Sequence, residues 1–216
     1  AVKASFSGAN MTESNWAKSD LSFSNLSFCC LASAHCPEAD FSGANATGAS
    51  FNKCNMSNAK AIGTIFQQTD FSAAILSGTN FTRSDLSSAV FLGASFDRVN
   101  FSESNLAKAN LNKCKLSSGT IFDNASLVET NLSECDLAQL SFAKVATLSK
   151  SVFTKANMNR GDQIYLHNTK LTIHHPSADF SGANLIQAVL SQSSLIKAKF
   201  CEANCTGNEA MFLVGC

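Results

Sequence analysis

The chain has 216 residues, of which 45% are hydrophobic and only 15% are charged, against about 25% charged residues in an average soluble protein. Its 16 basic and 16 acidic residues give a formal net charge of zero, which argues against long-range attraction to nucleic acid or to an anionic membrane. No apolar run reaches the ~18 residues that a membrane-spanning helix needs.

A period of five residues runs through the first half of the chain. From Phe6 to Leu116, 23 consecutive steps of five carry a large apolar residue 20 times and Cys or Ala the other three times. Two residues earlier the residue is Ala, Ser, Thr or Cys in 22 of 23 cases, the exception being Val99. The residue between the two is Asn or Asp in 13 of 23 cases.

This pattern predicts a short extended segment and a corner in every five residues. Side chains two residues apart in an extended segment point to the same face. The small residue and the large residue therefore both point inward, and the Asn or Asp between them points outward. Ser, Thr and Gly follow at positions that suit a turn. A single five-residue unit cannot bury its inner face, so the units must stack.

The repeating motif resembles that of the pentapeptide-repeat protein family. It stands in the sequence as Ala39-Asp40-Phe41-Ser42-Gly43, as Thr79-Asn80-Phe81-Thr82-Arg83 and as Ala183-Asn184-Leu185. The resemblance implies an all-β fold, a right-handed quadrilateral parallel β-helix with four repeats in each coil of about 20 residues. Residues 1–216 would then form one solenoid domain of roughly ten coils.

Three breaks interrupt the repeat. It shifts by one residue after Leu116 to resume at Phe122, and by one more residue before Leu148, which predicts a bulge at a corner in each case. The longest break spans residues 159–177, after which the repeat returns at Phe180. We expect this segment to be an irregular loop on an otherwise smooth rod. Because loops on rigid scaffolds often carry recognition, its candidate partner-binding residues are Arg160, Asp162, Tyr165, His167, His174 and His175.

Both ends of an open solenoid need protection, because unpaired strands invite edge-to-edge association. The N-terminus begins directly in a repeat, so we expect residues before Ala1 to have been removed. The apolar C-terminal segment, residues 208–216, either folds over the last coil as a cap or forms a homodimer contact. The residues that would do either are Met211, Phe212, Leu213 and Val214.

The nine cysteines fall mainly on inward positions, where a thiol acts as a small apolar group. Residues stacked one coil apart differ by about 20 in number, and no two cysteines have that spacing in the regular register. We therefore expect reduced thiols and a cytoplasmic protein, or one delivered into the cytosol of a host cell. An extracellular, disulfide-bonded form does not fit an odd number of cysteines.

No catalytic motif is present, and neither a cofactor nor a metal is predicted. The resemblance implies a non-catalytic scaffold, itself a bacterial effector or a regulatory protein, that binds an unidentified protein. One alternative is a DNA mimic that binds type II topoisomerase, as in family members linked to quinolone resistance, although those have a strongly acidic surface and this chain has no net charge. The other alternative is a structural spacer domain of a longer protein.

Overall fold

The structure, a computed structural model, describes residues 2–117, 119–137, 140, 145, 150–157, 180–181, 183 and 199–204. In these ranges the chain is a quadrilateral β-helix. Every five residues contain one short extended segment and one turn, and four such units close a coil. Neighbouring coils pair in parallel, as the repeat predicts.

The extended segments are very short. Within the described ranges two strands have more than one paired residue, β1 at Ser95–Phe96 and β2 at Lys115–Leu116, which pair in parallel with Ser95 opposite Lys115. Elsewhere single residues bridge equivalent positions of neighbouring coils, as Asn25 does with Asn45. The ladder stays short because a corner begins immediately after each large inward residue.

Each corner is a turn whose second central residue has a left-handed backbone. At the turn that follows Phe41, the Ala44 N–H donates to the Phe41 carbonyl at 2.9 Å, and Gly43 has φ +68°. Glycine occupies six of the described corners, but 23 other residues adopt φ between 54° and 62° there. The outward carboxylate or amide stabilises this turn, since Asp40 Oδ1 accepts the Ser42 N–H at 2.9 Å. That bond explains why Asn and Asp recur at the outward position.

The interior is filled by columns of side chains stacked one coil apart. The ring of Phe71 stacks on Phe91 with centroids 5.0 Å apart, and Phe81 stacks on Phe101 at 5.3 Å. These four side chains are completely buried, which confirms the predicted inward column. Most buried hydroxyls at the small inward positions donate to main-chain carbonyls: Thr79 Oγ1, for example, donates to the carbonyl of Met56 at 2.8 Å.

The first shift of the repeat leaves the ladder unbroken. Beyond it, the bridging residues lie one position further apart in sequence than in the regular coils, as in the pair Asn100 and Ile121. At the shift the Arg98 N–H donates to Ser117 Oγ at 3.0 Å, whereas the equivalent N–H at regular corners donates to a main-chain carbonyl. Thr120 Oγ1, just after the inserted residue, is the one buried side-chain oxygen or nitrogen of the described ranges that lacks a hydrogen-bond partner.

A longer interval separates two stacked rings near the C-terminal end. Phe153 stacks on Phe180 with centroids 4.9 Å apart, and Phe180 stacks on Phe200 at 5.1 Å. The interval from Phe180 to Phe200 matches one regular coil, whereas the interval from Phe153 to Phe180 is longer. The chain therefore uses seven residues more than one regular coil between Phe153 and Phe180.

Candidate interaction surface

The residues that the sequence singles out for partner binding lie outside the described part of the chain. This applies to the segment 159–177 and to the C-terminal segment 208–216, so both remain predictions. The first set comprises Arg160, Asp162, Tyr165, His167, His174 and His175, and the second comprises Met211, Phe212, Leu213 and Val214.

The described coils offer four outer faces, one of which differs from the others in what borders it. We call it face 1, and its outward residues are Ser5, Asn25, Asn45, Ile65, Asp85, Asn105 and Ser126. The first corner row, on the N-terminal side of these strands, contains Lys3, Phe23, Gly43, Gly63, Arg83 and Glu103. The second corner row, on their C-terminal side, contains Gly8, Phe28, Gly48, Gln68, Ser88 and Lys108.

Much of the polarity of face 1 serves the fold itself. Asp85 accepts hydrogen bonds from the Ser87 N–H at 3.0 Å, from Gln67 Nε2 at 2.7 Å and from Asn105 Nδ2 at 3.1 Å. Burial acts to raise the pKa of Asp85, but the hydrogen bonds from Ser87, Gln67 and Asn105 outweigh it and hold the pKa below its usual value. The carboxylate is therefore ionised at neutral pH, with its charge shared among three donors.

Charges at the corners alternate in sign and pair along the rod. Corner residues of neighbouring coils stand one above the other, and a basic residue repeatedly lies next to an acidic one, with side chains 37–74% exposed. The pairs are Lys18–Glu38 at 3.8 Å, Arg83–Glu103 at 2.8 Å, Lys113–Glu134 at 3.7 Å and Lys150–Glu129 at 3.2 Å.

Two phenylalanines on one coil stand apart from this polar surface. Phe23 and Phe28 are 63% and 68% exposed, and both have φ of 56°. Their rings lie over the glycines of the next coil: a Cβ built on Gly43 would be 2.6 Å from the Phe23 ring, and one built on Gly48 would be 2.7 Å from the Phe28 ring. The period of five did not identify these two residues as candidates. The signal that could have identified them is an aromatic residue at the second central position of a turn.

The apolar surface continues on face 1 beyond the two rings. Ile62, beside Gly63 of the first corner row, and Ile65 in the middle of the face are 39% and 40% exposed. Between Lys3 and Arg83, face 1 and its two corner rows carry no charged side chain. An uncharged, partly apolar surface therefore covers face 1 over the coils that lie between those two residues.

The expectation that no two cysteines lie one coil apart concerns the regular register, and across the first shift one pair does lie one coil apart. The residue inserted after Leu116 lengthens that coil by one position, so Cys114 and Cys135 occupy neighbouring coils, and the Asp136 N–H donates to the Cys114 carbonyl at 3.1 Å. Both are free thiols. Burial raises the pKa of Cys135 to about 12 and that of Cys114 further.

Two further buried thiols, those of Cys29 and Cys54, are also held in the protonated form. Burial raises the pKa of Cys29 to about 12. A hydrogen bond with Cys36, followed by burial, raises the pKa of Cys54 well above its usual value. Thiolates are the nucleophiles and metal ligands, so these groups act as core side chains at neutral pH.

Chemistry that needs converging polar groups finds no support in the described ranges. They contain no group of three or more His, Cys, Asp or Glu side chains arranged to hold a metal ion. Nor does any helix there have the length and apolar character needed to cross a membrane. The acidic side chains of these ranges lie on the outer faces and corners.

A family model describes the repeat that these coils display. Eight copies of the model named pentapeptide repeats match residues 2–35, 39–78, 79–117 and 178–207, which is more than half of the chain. The chain belongs to the pentapeptide-repeat family. The pentapeptide-repeat matches omit residues 118–177, where the repeat shifts and then breaks.

The solved structure of another pentapeptide-repeat protein shows the same fold. HetL, involved in heterocyst differentiation regulation in the cyanobacterium Nostoc sp. strain PCC 7120, aligns with a TM-score of 0.55 and 18% identity over 95% of this chain and 89% of HetL. This likeness identifies a right-handed quadrilateral β-helix. A trypsin-treated form of QnrB1, a plasmid-mediated fluoroquinolone resistance protein, aligns with a TM-score of 0.43 and 15% identity over 93% of this chain and 86% of its own. No curated protein matches the chain.

Proposed function

We propose that this pentapeptide-repeat protein is a non-catalytic scaffold that binds a protein partner on its outer surface. The observation that carries the proposal is the filled interior. Stacked side chains such as Phe71 and Phe91 occupy the core and are 0% exposed, so the described coils act on other molecules through their faces and corners. An enzyme needs a concave site with converging polar groups.

The insertion at 159–177 is the predicted recognition loop. The long interval between the stacked rings of Phe153 and Phe180 supports it, because seven residues beyond a regular coil fall between them. A loop with Arg160, Tyr165 and His167 on a rigid rod would supply the charged and aromatic groups that dominate binding energy at protein interfaces. A bacterial effector or a regulatory protein, in the cytoplasm or in a host cytosol, would use such a loop.

The alternative of a topoisomerase-binding DNA mimic has weaker support. A protein that competes with DNA for a basic groove needs a continuous acidic surface. Here acidic corner residues are paired with basic ones, as Glu103 is with Arg83 at 2.8 Å. The alternative of a structural spacer is supported only by the regularity of the rod.

Affinity capture from bacterial and eukaryotic lysates tests the proposal. The bait is the intact chain, compared with a variant in which Arg160, Tyr165 and His167 are replaced by Ala, and with a control variant, Lys53→Ala, at a regular corner. We expect one dominant protein to bind the intact chain and the control but not the loop variant. Capture of a topoisomerase subunit would favour the DNA mimic, and a bait that captures no protein from either lysate would contradict the scaffold.

A further inference from the structure

We propose that two copies of this chain associate side by side through face 1, with their rods parallel, about a two-fold axis that runs along the rod. This partner is additional to the protein partner proposed above and uses a different surface from the loop at 159–177. It also differs from the predicted homodimer contact in the C-terminal segment, which would join the rods at their ends.

In a single copy of the chain, Phe23 and Phe28 each carry two energetic costs. Each of these phenylalanines exposes about two thirds of its large apolar side chain to solvent. Each also has φ of 56°, in the left-handed region that bulky residues rarely adopt. The fold does not need Phe at this corner position, because Lys3 and Lys18 occupy it with the same backbone, as does Glu13. Strained or exposed groups that the fold does not require mark functional surfaces.

The two-fold axis brings the two corner rows of face 1 together. Rotation about an axis along the rod places the first corner row of one copy opposite the second corner row of the other, coil by coil. Phe23 of one copy then faces Phe28 of the second copy, and the reverse contact occurs across the axis. On the next coil Gly43 faces Gly48, and the rings of Phe23 and Phe28 lie over these two glycines, so the contact there is made by the rings. Ile65 lies on the axis and faces its own copy.

The same pairing matches charges further along the rod. Four coils beyond the rings, the first row carries Glu103 and the second row carries Lys108, so the axis creates two acid–base pairs between the copies. An antiparallel pair centred on Asn45 would instead place Lys3 opposite Arg83, two like charges. With a formal net charge of zero, the copies do not repel one another at long range.

One contact opposes the association. Asp85 lies in the middle of face 1 and would face its own copy across the axis. Its carboxylate is only partly exposed and accepts three hydrogen bonds, from Ser87, Gln67 and Asn105, which lessens the repulsion. The face from Ser5 to Asn105 is about 24 Å long at ~4.8 Å per coil. A contact along one face of this length is small for a protein interface, so the dimer is weak and depends on concentration.

Sedimentation equilibrium of the full chain, from about 10 µM to about 1 mM, measures the association directly. The variants are Phe23→Lys and Phe28→Glu, residue types that other corners of this chain accept. Leu92→Lys is the matched control, since it adds the same charge at a 42% exposed apolar residue away from face 1. A thermal melt of each variant by circular dichroism verifies that all of them fold.

We expect the parent chain and the Leu92→Lys control to dimerise alike, and each face 1 variant to associate about 10-fold more weakly or less. Mixing the two face 1 variants in equal amounts restores the dimer, because Lys at position 23 then faces Glu at position 28 and the other contact remains Phe23 with Phe28. The antiparallel pair centred on Asn45 places residue 23 opposite Gly63 and residue 28 opposite Gln68, so it gains nothing from the mixture.

Three results would overturn the inference. The parent chain could remain monomeric over the whole concentration range. Both face 1 variants could dimerise as the parent does, which would move the contact elsewhere, for example to the C-terminal segment. The mixture could stay monomeric, which would exclude the parallel arrangement.

Discussion

The coils before and after the shift at Leu116 share one core but differ in register. Up to that residue each bridging pair spans one regular coil, as Asn80 and Asn100 do, whereas Asn100 bridges onward to Ile121, one position further along. The column of stacked rings passes through the change, since Phe101 stacks on Phe122 at 5.2 Å. The difference shows that the fold depends on the inward residues keeping their positions in the core. A corner can accommodate an extra residue as long as those positions are kept.

The largest expected effect comes from a charge placed in the same inward column on either side of the shift. Phe81→Asp and Phe122→Asp each bury an unpaired carboxylate in place of a side chain that is at most 1% exposed. Both are expected to destabilise the fold by several kcal/mol, because neither carboxylate finds a partner. Urea unfolding followed by circular dichroism measures the loss. A Phe122→Asp variant as stable as the parent would mean that the core ends at the shift.

Deleting one glycine distinguishes a corner with an extra residue from a regular corner. Removal of Gly119 returns the shifted coil to the regular length and is expected to change the free energy of unfolding by no more than about 1 kcal/mol. Removal of Gly78 leaves a unit one residue short, which turns the following side chains away from the core and is expected to cost several kcal/mol. Thermal melts compare the two deletions. Equal losses would show that the inserted residue is required.

Two buried threonines provide a finer comparison. Thr130 Oγ1 donates to the Leu106 carbonyl at 2.8 Å, whereas Thr120 Oγ1, next to the insertion, has no partner within the described residues. Thr130→Val is expected to lower stability by about 1 kcal/mol, because the Leu106 carbonyl, which also accepts the Ala109 N–H at 2.9 Å, loses one of its two donors. Thr120→Val is expected to be neutral or stabilising by up to about 1 kcal/mol. If Thr120→Val destabilises as much as Thr130→Val, the Thr120 hydroxyl makes a hydrogen bond after all.

The smallest effect is expected at an exposed corner pair. Arg83 and Glu103 lie 2.8 Å apart, with side chains 67% and 46% exposed. Arg83→Ala is expected to change the free energy of unfolding by less than about 0.5 kcal/mol, since solvent screens such pairs. Chemical denaturation resolves a difference of this size when repeated. A loss above about 1 kcal/mol, the most that an exposed pair usually contributes, would show that the corner pairs stabilise the rod.

The sequence alone predicts the inward columns, because a period of five leaves one assignment of small and large residues to the interior. Phe81 and Phe101 lie where that assignment puts them. The sequence pattern does not predict which residues of neighbouring coils pair across an insertion. The neighbouring positions of Cys114 and Cys135 follow only once the lengthened coil is seen.

The surface was harder to predict for a different physical reason. Outward positions vary in residue type, so periodicity assigns them no role. For that reason the sequence did not identify Phe23 and Phe28 as exposed corner residues. The structure also shows that outward Asn and Asp side chains accept a hydrogen bond from the turn that follows, as Asn45 does from the Thr47 N–H at 3.0 Å. The proposed loop at 159–177 remains a prediction because it lies outside the described residues.

The left-handed corners separate what the molecule displays from what holds it together. Twenty-three described residues other than glycine adopt this backbone, among them lysine, glutamate, serine and phenylalanine, and all of them point away from the core. They form four parallel rows with about 4.8 Å between successive side chains. Corner residues can therefore be substituted one at a time, by evolution or by design, while the packing of the core beneath them stays the same.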